Sequence, residues 1–214
     1  MSGIHPETAP RAVPRHTADA MATEIRAMNR AFLELLTDPL APDGTRVLGL
    51  DAAWVQGLRR LSSTDRDELA AAPLLLADFR PRTNLRVRES DDDVNVDGDA
   101  APVWKSRVDA FANRLLAALW HFSRLESGLA TFCLGLDPGT TVLLRNMSFA
   151  ELSVKAPGWC AGLRARHADH PTCWPDLIRL VSYGHSEQLN AARLGMIPLT
   201  VARQQAAGAE SLAR

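Results

Sequence analysis

Four side chains with metal-binding chemistry fall within one short stretch, CAGLRARHADHPTC: Cys160, His167, His170 and Cys173. Thiolate sulfur and imidazole nitrogen are ligands that hold Zn²⁺ tetrahedrally, so the set is a candidate zinc site. Its spacing matches no standard zinc knuckle, and the other reading is a helix end with surface histidines and half-buried thiols. Asp93, Asn95, Asp97, Gly98 and Asp99 imitate the first half of an EF-hand calcium loop. The twelfth position of that loop is Trp104, where a bidentate Glu is needed. A solvated acidic linker is therefore the expectation. No phosphate-binding loop, G-x-S-x-G or H-E-x-x-H run occurs, and the histidines show no nucleophile–base pairing. The sequence predicts a protein that is not an enzyme and needs no resident cofactor other than the candidate zinc.

A third chemistry is the reading of nucleic acid. Arg and Gln match guanine and adenine edges, and Arg also neutralises phosphate. The candidates for DNA contact are Arg59, Arg60, Arg145, Arg193, Thr200, Arg203 and Gln204. The net charge of the 214-residue chain is -1, so contact with a polyanion must come from a local basic face or from a partner chain.

The elements that would position these residues read as helices. Apolar residues make up 46% and charged residues 23%, which is ordinary for a globular protein. Ile25, Met28, Phe32, Leu35 and Leu36 step by three and four, predicting a helix over 22–37 that stops at Asp38-Pro39. Asp51 is a helix cap, and Ser62 with Asp65 forms a cap-and-acid pattern. LLLADFRPRTNLRVR, 74–88, reads as extended. Residues 89–102 are acidic and poor in large apolar groups. Beyond them Val108, Phe111, Leu115, Leu119 and Phe122 mark a long amphipathic helix, followed by a shorter one over 124–134. Asp137 with Pro138, and Ser148 with Glu151, repeat the earlier caps. The segment from Trp174 onward predicts two or three short helices.

Two stretches echo each other without a gap: LGLDAAWVQGLRRLSSTD (48–65) and LGLDPGTTVLLRNMSFAE (134–151). Each follows a helix carrying Asn-Arg, at Asn29 and Asn113. A fainter third copy, LGMIPLTVARQQAAG, begins at Leu194. Repetition of one small unit implies duplication with the copies packed together. In each unit a Gly (49, 135, 195) could supply the positive φ of a tight turn between two helices, with Val55, Thr141 or Val201 anchoring the second. That is the build of a helix-turn-helix, whose second helix can enter the major groove. It is also a common way to build a helical core.

The stretches EIRAMNRAFLELL (24–36), LGLD, LSSTDRDELA (61–70) and LLLADFR (74–80), in that order, resemble the FlhD family. The second stretch GLATFCLGLDPGTTVLLRNMSFAELSVKA (128–156) is similar to the same turn region. FlhD is a subunit of the bacterial flagellar master activator, a shorter chain that dimerises and works with a zinc-binding partner, FlhC. The resemblance implies a transcription activator, with DNA and an FlhC-like protein as partners and homo-oligomer formation open. One chain with two copies would imitate a dimer. The family's Cys near its Phe-Arg pair is replaced by Ala77, and related proteins regulate mobile-element transfer as well as flagella.

The expected fold is all-α. A disordered tail occupies 1–20, a first FlhD-like repeat 21–88, an acidic linker 89–103, a second repeat 104–170, and a helix-turn-helix-like segment 171–214. Trp54, Val55, Leu58, Leu144 and Met147 are expected at the core or an interface. Three cysteines in no disulfide spacing, no apolar leader and no membrane-length apolar run predict a cytoplasmic protein. The alternative function is a helical adaptor that binds a partner and never touches DNA.

Overall fold

Helix α1 runs from Arg15 to Leu36, about two turns earlier than its apolar stripe alone suggests, so residues 15–20 are helix rather than tail. The computed structural model describes residues 15–42, 44–79 and 100–212. The remainder of the expected tail, residues 89–99 of the acidic linker and the EF-hand-like Asp93–Asp99 lie outside the described residues.

Strands β1 (Arg46–Val47) and β2 (Leu50–Asp51) form a small antiparallel hairpin. Helices α2 (Ala52–Arg60) and α3 (Ser63–Ala70) follow, then β3 (Ala77–Phe79). The chain resumes in α4 (Ala100–Leu125), which takes in the last residues of the expected linker. Next come α5 (Ser127–Cys133), α6 (Pro138–Asn146), α7 (Phe149–Cys160) and β4 (Leu163–Ala165). Helices α8 (Cys173–Ser182) and α9 (Ser186–Leu212) complete the fold. The protein is thus mainly helical, and among the described residues it departs from all-α by two short antiparallel ladders.

The caps explain the boundaries. Asp51 accepts from the Ala53 amide and Asp137 from that of Thr140, each satisfying a donor that a helix start leaves free. Ser62–Asp65 and Ser148–Glu151 are both complete capping boxes, the serine hydroxyl taking the amide three residues on while the acid takes the serine amide. Gly49 and Gly135 both have positive φ, +79° and +66°. Their settings differ. Gly49 turns the β1–β2 hairpin, whereas Gly135 follows α5, so only the second has a helix on each side. Val55 and Thr141, six residues on, are both buried.

β3 and β4 pair antiparallel, Ala77 opposite Ala165, Asp78 opposite Arg164 and Phe79 opposite Leu163. Around this junction α1 packs on α3 and α4, α4 on α5, α6 and α7, and α8 on α2, α3 and α9. Phe32 and Phe111 meet with ring centroids 5.6 Å apart where α1 crosses α4. Val55, Leu58, Leu144 and Met147 are buried as expected, but Trp54 is 38% exposed because it falls on the outer face of α2.

Two of the apparent echoes separate. Asn29 is fully buried, donates to the carbonyls of Ala70 (3.2 Å) and Leu74 (3.0 Å), and accepts from the Leu76 amide (2.8 Å). Asn113 is exposed and bonds back to the Asp109 carbonyl. The third unit forms no turn: α9 continues through Gly195 and Pro198. Gly195 has nothing close to it that a tight corner would require. Leu189, Met196 and Thr200 of α9 are buried, and packing of this stripe outweighs the local cost of glycine and proline in the helix.

Candidate functional site

Three buried polar residues, Arg166, His167 and Thr200, gather where α9 meets the β3–β4 ladder and the Gly135 turn. Arg166, immediately after β4, is 2% exposed. It donates to the carbonyls of Ala77 at 3.3 Å and of Leu134, tying β3 to the turn before α6. Burial pushes its pKa below the usual arginine value; Asp78 opposes that shift and Arg203 adds to it. Gly135 leaves the space the guanidinium fills, since a Cβ there would lie 2.5 Å from Cζ. Arg203 pairs with Asp78 at 2.9 Å. Gln204 donates to the carbonyls of Thr131 (2.9 Å) and Leu136 (2.8 Å). A cavity of about 150 Å³ remains between these groups.

His167 sits in the left-handed region, φ +53°, with Nε2 3.1 Å from the Thr200 hydroxyl. The single Thr200 proton is committed to the Met196 carbonyl at 2.9 Å, so Nε2 of the neutral imidazole is the donor. Burial, reinforced by Arg166 and Arg203, lowers the His167 pKa to about 4. Arg193 is buried too, donating to the Glu68 carbonyl of α3 and to Asn190 at 2.8 Å.

These contacts overturn part of the DNA-contact set. Arg193, Thr200, Arg203 and Gln204 lie on one uninterrupted helix and are turned inward to α3, β3, His167 and the α5–α6 turn. The stretch after Gly195 is a strap across the protein and not a free recognition helix. Arg60 and Arg145 are exposed on the last turns of α2 and α6. Arg59 is half-buried and donates to the Asp38 carbonyl at 3.3 Å.

The zinc set is likewise dispersed. Among the described residues no group of three or more His, Cys, Asp or Glu is placed to hold a metal ion. Cys160 ends α7 with its thiol toward Asn113 of α4, His167 faces α9, and Cys173 is buried at the start of α8. The strand and turns between them keep any three of the four from converging on one point. Burial raises the pKa of Cys160, helped by Asp109, and that of Cys173 to about 11. No cysteine is disulfide-bonded.

Sequence reasoning missed Arg166, Asp78 and their partners. The signal was present in part, because Arg166 follows β4 as Arg80 follows β3, but Arg80 lies outside the described residues. Among the described residues no helix is long and apolar enough to cross a membrane. Compared with protein-family models, with curated proteins and with solved structures, the chain shows no match.

Proposed function

We propose that this chain is a transcription-regulatory subunit of the FlhD type, in which two FlhD-like halves on one chain stand in for a pair of subunits. The observation that carries the reading is the β3–β4 ladder. Asp78 and Arg164 face each other at its centre, and they stand at equal distances from the Asp51 and Asp137 caps and from the two capping boxes. Two similar halves meeting about such a centre is the geometry of an isologous dimer.

DNA contact falls to Arg60 and Arg145, with an FlhC-like partner supplying further basic surface. The adaptor reading is favoured by a separate observation: four of the seven candidate contacts make hydrogen bonds or ion pairs within the fold. Chromatin pull-down of the tagged chain with sequencing, and DNA binding by the purified protein across a salt titration, test the two. Direct contact requires enrichment at promoters and affinity that falls steeply with salt. Arg60→Ala or Arg145→Ala then flattens the salt dependence by about one counterion each. An adaptor has no DNA affinity of its own at any salt concentration.

A further inference from the structure

Two helix pairs in this fold share a local build but differ in what covers them. α2 and α3 lie beneath α8 and α9. Ile178 Cγ2 is 3.2 Å from where a Cβ on Gly57 would stand, and Arg193 donates to the Glu68 carbonyl. The outer face of α6 and α7 is open: Val142, Leu143, Phe149 and Val154 are 56, 46, 62 and 81% exposed.

Counted from the caps, these four correspond to Gln56, Gly57, Ser63 and Glu68. Gln56 and Ser63 are exposed and polar, as water selects, and Gly57 and Glu68 approach α8 and α9, whereas the open pair carries a large apolar residue at all four positions. The apolar face extends onto α4, where Trp120 meets Phe149 edge-on at 5.8 Å and Arg124 stacks 5.0 Å above the Trp120 ring. Its border is cationic. Arg124, Arg145 and Lys155 are exposed, while the one carboxylate of α6 and α7, Glu151, is turned onto the Ser148 amide and hydroxyl.

We infer that the α6–α7 face is a docking surface for an amphipathic helix of another protein, apolar along one stripe and flanked by carboxylates. The helix seats there much as α8 seats on α2 and α3, and the cationic border selects an acidic flank. A second copy of this chain is a poor occupant through the same face, because the three cations would be brought against their own kind. The inference goes beyond the regulatory reading and holds whether or not the chain contacts DNA.

The test uses the full chain and two fluorescent, stapled helical peptides. Both carry Leu at i, i+3, i+4 and i+7; one is flanked by Glu and the other by Lys. Anisotropy should show the Glu peptide binding and the Lys peptide binding about tenfold more weakly or not at all. The double variant L143S/V154S, at exposed positions and checked for native helicity by circular dichroism, should lose the Glu peptide by about tenfold. The exposed control Leu194→Ser should bind it as the parent does. Three results overturn the proposal: neither peptide binds, both bind alike, or L143S/V154S binds as the parent does. So does sedimentation showing a dimer that L143S/V154S dissolves, which assigns the face to self-association.

Discussion

Alanine at Gly49 and alanine at Gly135 are one chemical change at two left-handed glycines, yet the surroundings demand different outcomes. A side chain at positive φ costs about 1–2 kcal/mol, part of which is offset by the smaller unfolded-state entropy of alanine. At Gly49 the new methyl finds room, its nearest neighbours being Arg164 Cβ at 3.6 Å and Ala168 Cβ at 3.8 Å. Gly49→Ala should therefore cost about 1 kcal/mol, or roughly 2–4 °C in Tm for a chain of this size. At Gly135 the methyl overlaps the Arg166 guanidinium, which cannot swing away without abandoning the carbonyls of Ala77 and Leu134. Losing charged hydrogen bonds at a buried site adds about 3 kcal/mol or more, so Gly135→Ala should lower Tm by roughly 10 °C or more. Urea and thermal unfolding followed by circular dichroism read both. If Gly135→Ala proves too unstable to purify, the background Arg166→Met decides the matter. With the guanidinium gone, Gly135→Ala should add only the backbone cost, leaving a coupling of about 3 kcal/mol between the sites. Equal Tm shifts for the two glycines, or additive effects at Gly135 and Arg166, would refute the reasoning.

Asn29→Asp removes the donors that face the Ala70 and Leu74 carbonyls, so the ionised carboxylate is strongly destabilising at pH 8. Protonation returns one donor; the variant's deficit against the parent should shrink toward pH 5, and a pH-independent deficit contradicts this. For His167 the folded pKa of about 4 lies below the unfolded value of about 6.5. The unfolded chain takes up the proton first, so stability falls as pH drops from 6.5 to 4, by up to about 3 kcal/mol. His167→Asn, which suits the left-handed backbone and cannot titrate, should lack that slope; parallel pH profiles for parent and variant would exclude it. Gln204→Ala should destabilise by about 1–3 kcal/mol through the freed Thr131 and Leu136 carbonyls. It should leave any DNA affinity unchanged, and a selective loss of DNA binding would restore Gln204 as a contact.

Short-range signals carried most of the legible structure. Asp51, Ser62, Asp137 and Ser148 mark helix starts because a cap acts within three residues of itself, and all four do so in the fold. Of the stretch 74–88 that reads as extended, 77–79 form β3, and 80–88 lie outside the described residues. Long-range competition was not legible. Gly195 and Pro198 carry local break signals, which the packing of α9 against α8 and β3 overrides. Four ligand-type side chains close in sequence looked like a zinc site, but β4 and the turn at His167 send Cys160 toward α4 and His167 toward α9. Arg166 was invisible because its role depends on a carbonyl of β3 and on the space at Gly135, both distant in sequence.

β3 and β4 belong to a single polypeptide, and that has a consequence for how the protein can change. Subunits that must find each other separate on dilution, and a mutation in one is imposed on both. Here the local concentration of one strand for the other is set by the tether, so their union survives at any cellular abundance. Surfaces on one chain are also free to differ: α2–α3 seats the chain's own C-terminal helices, while α6–α7 carries a greasy, positively rimmed exterior.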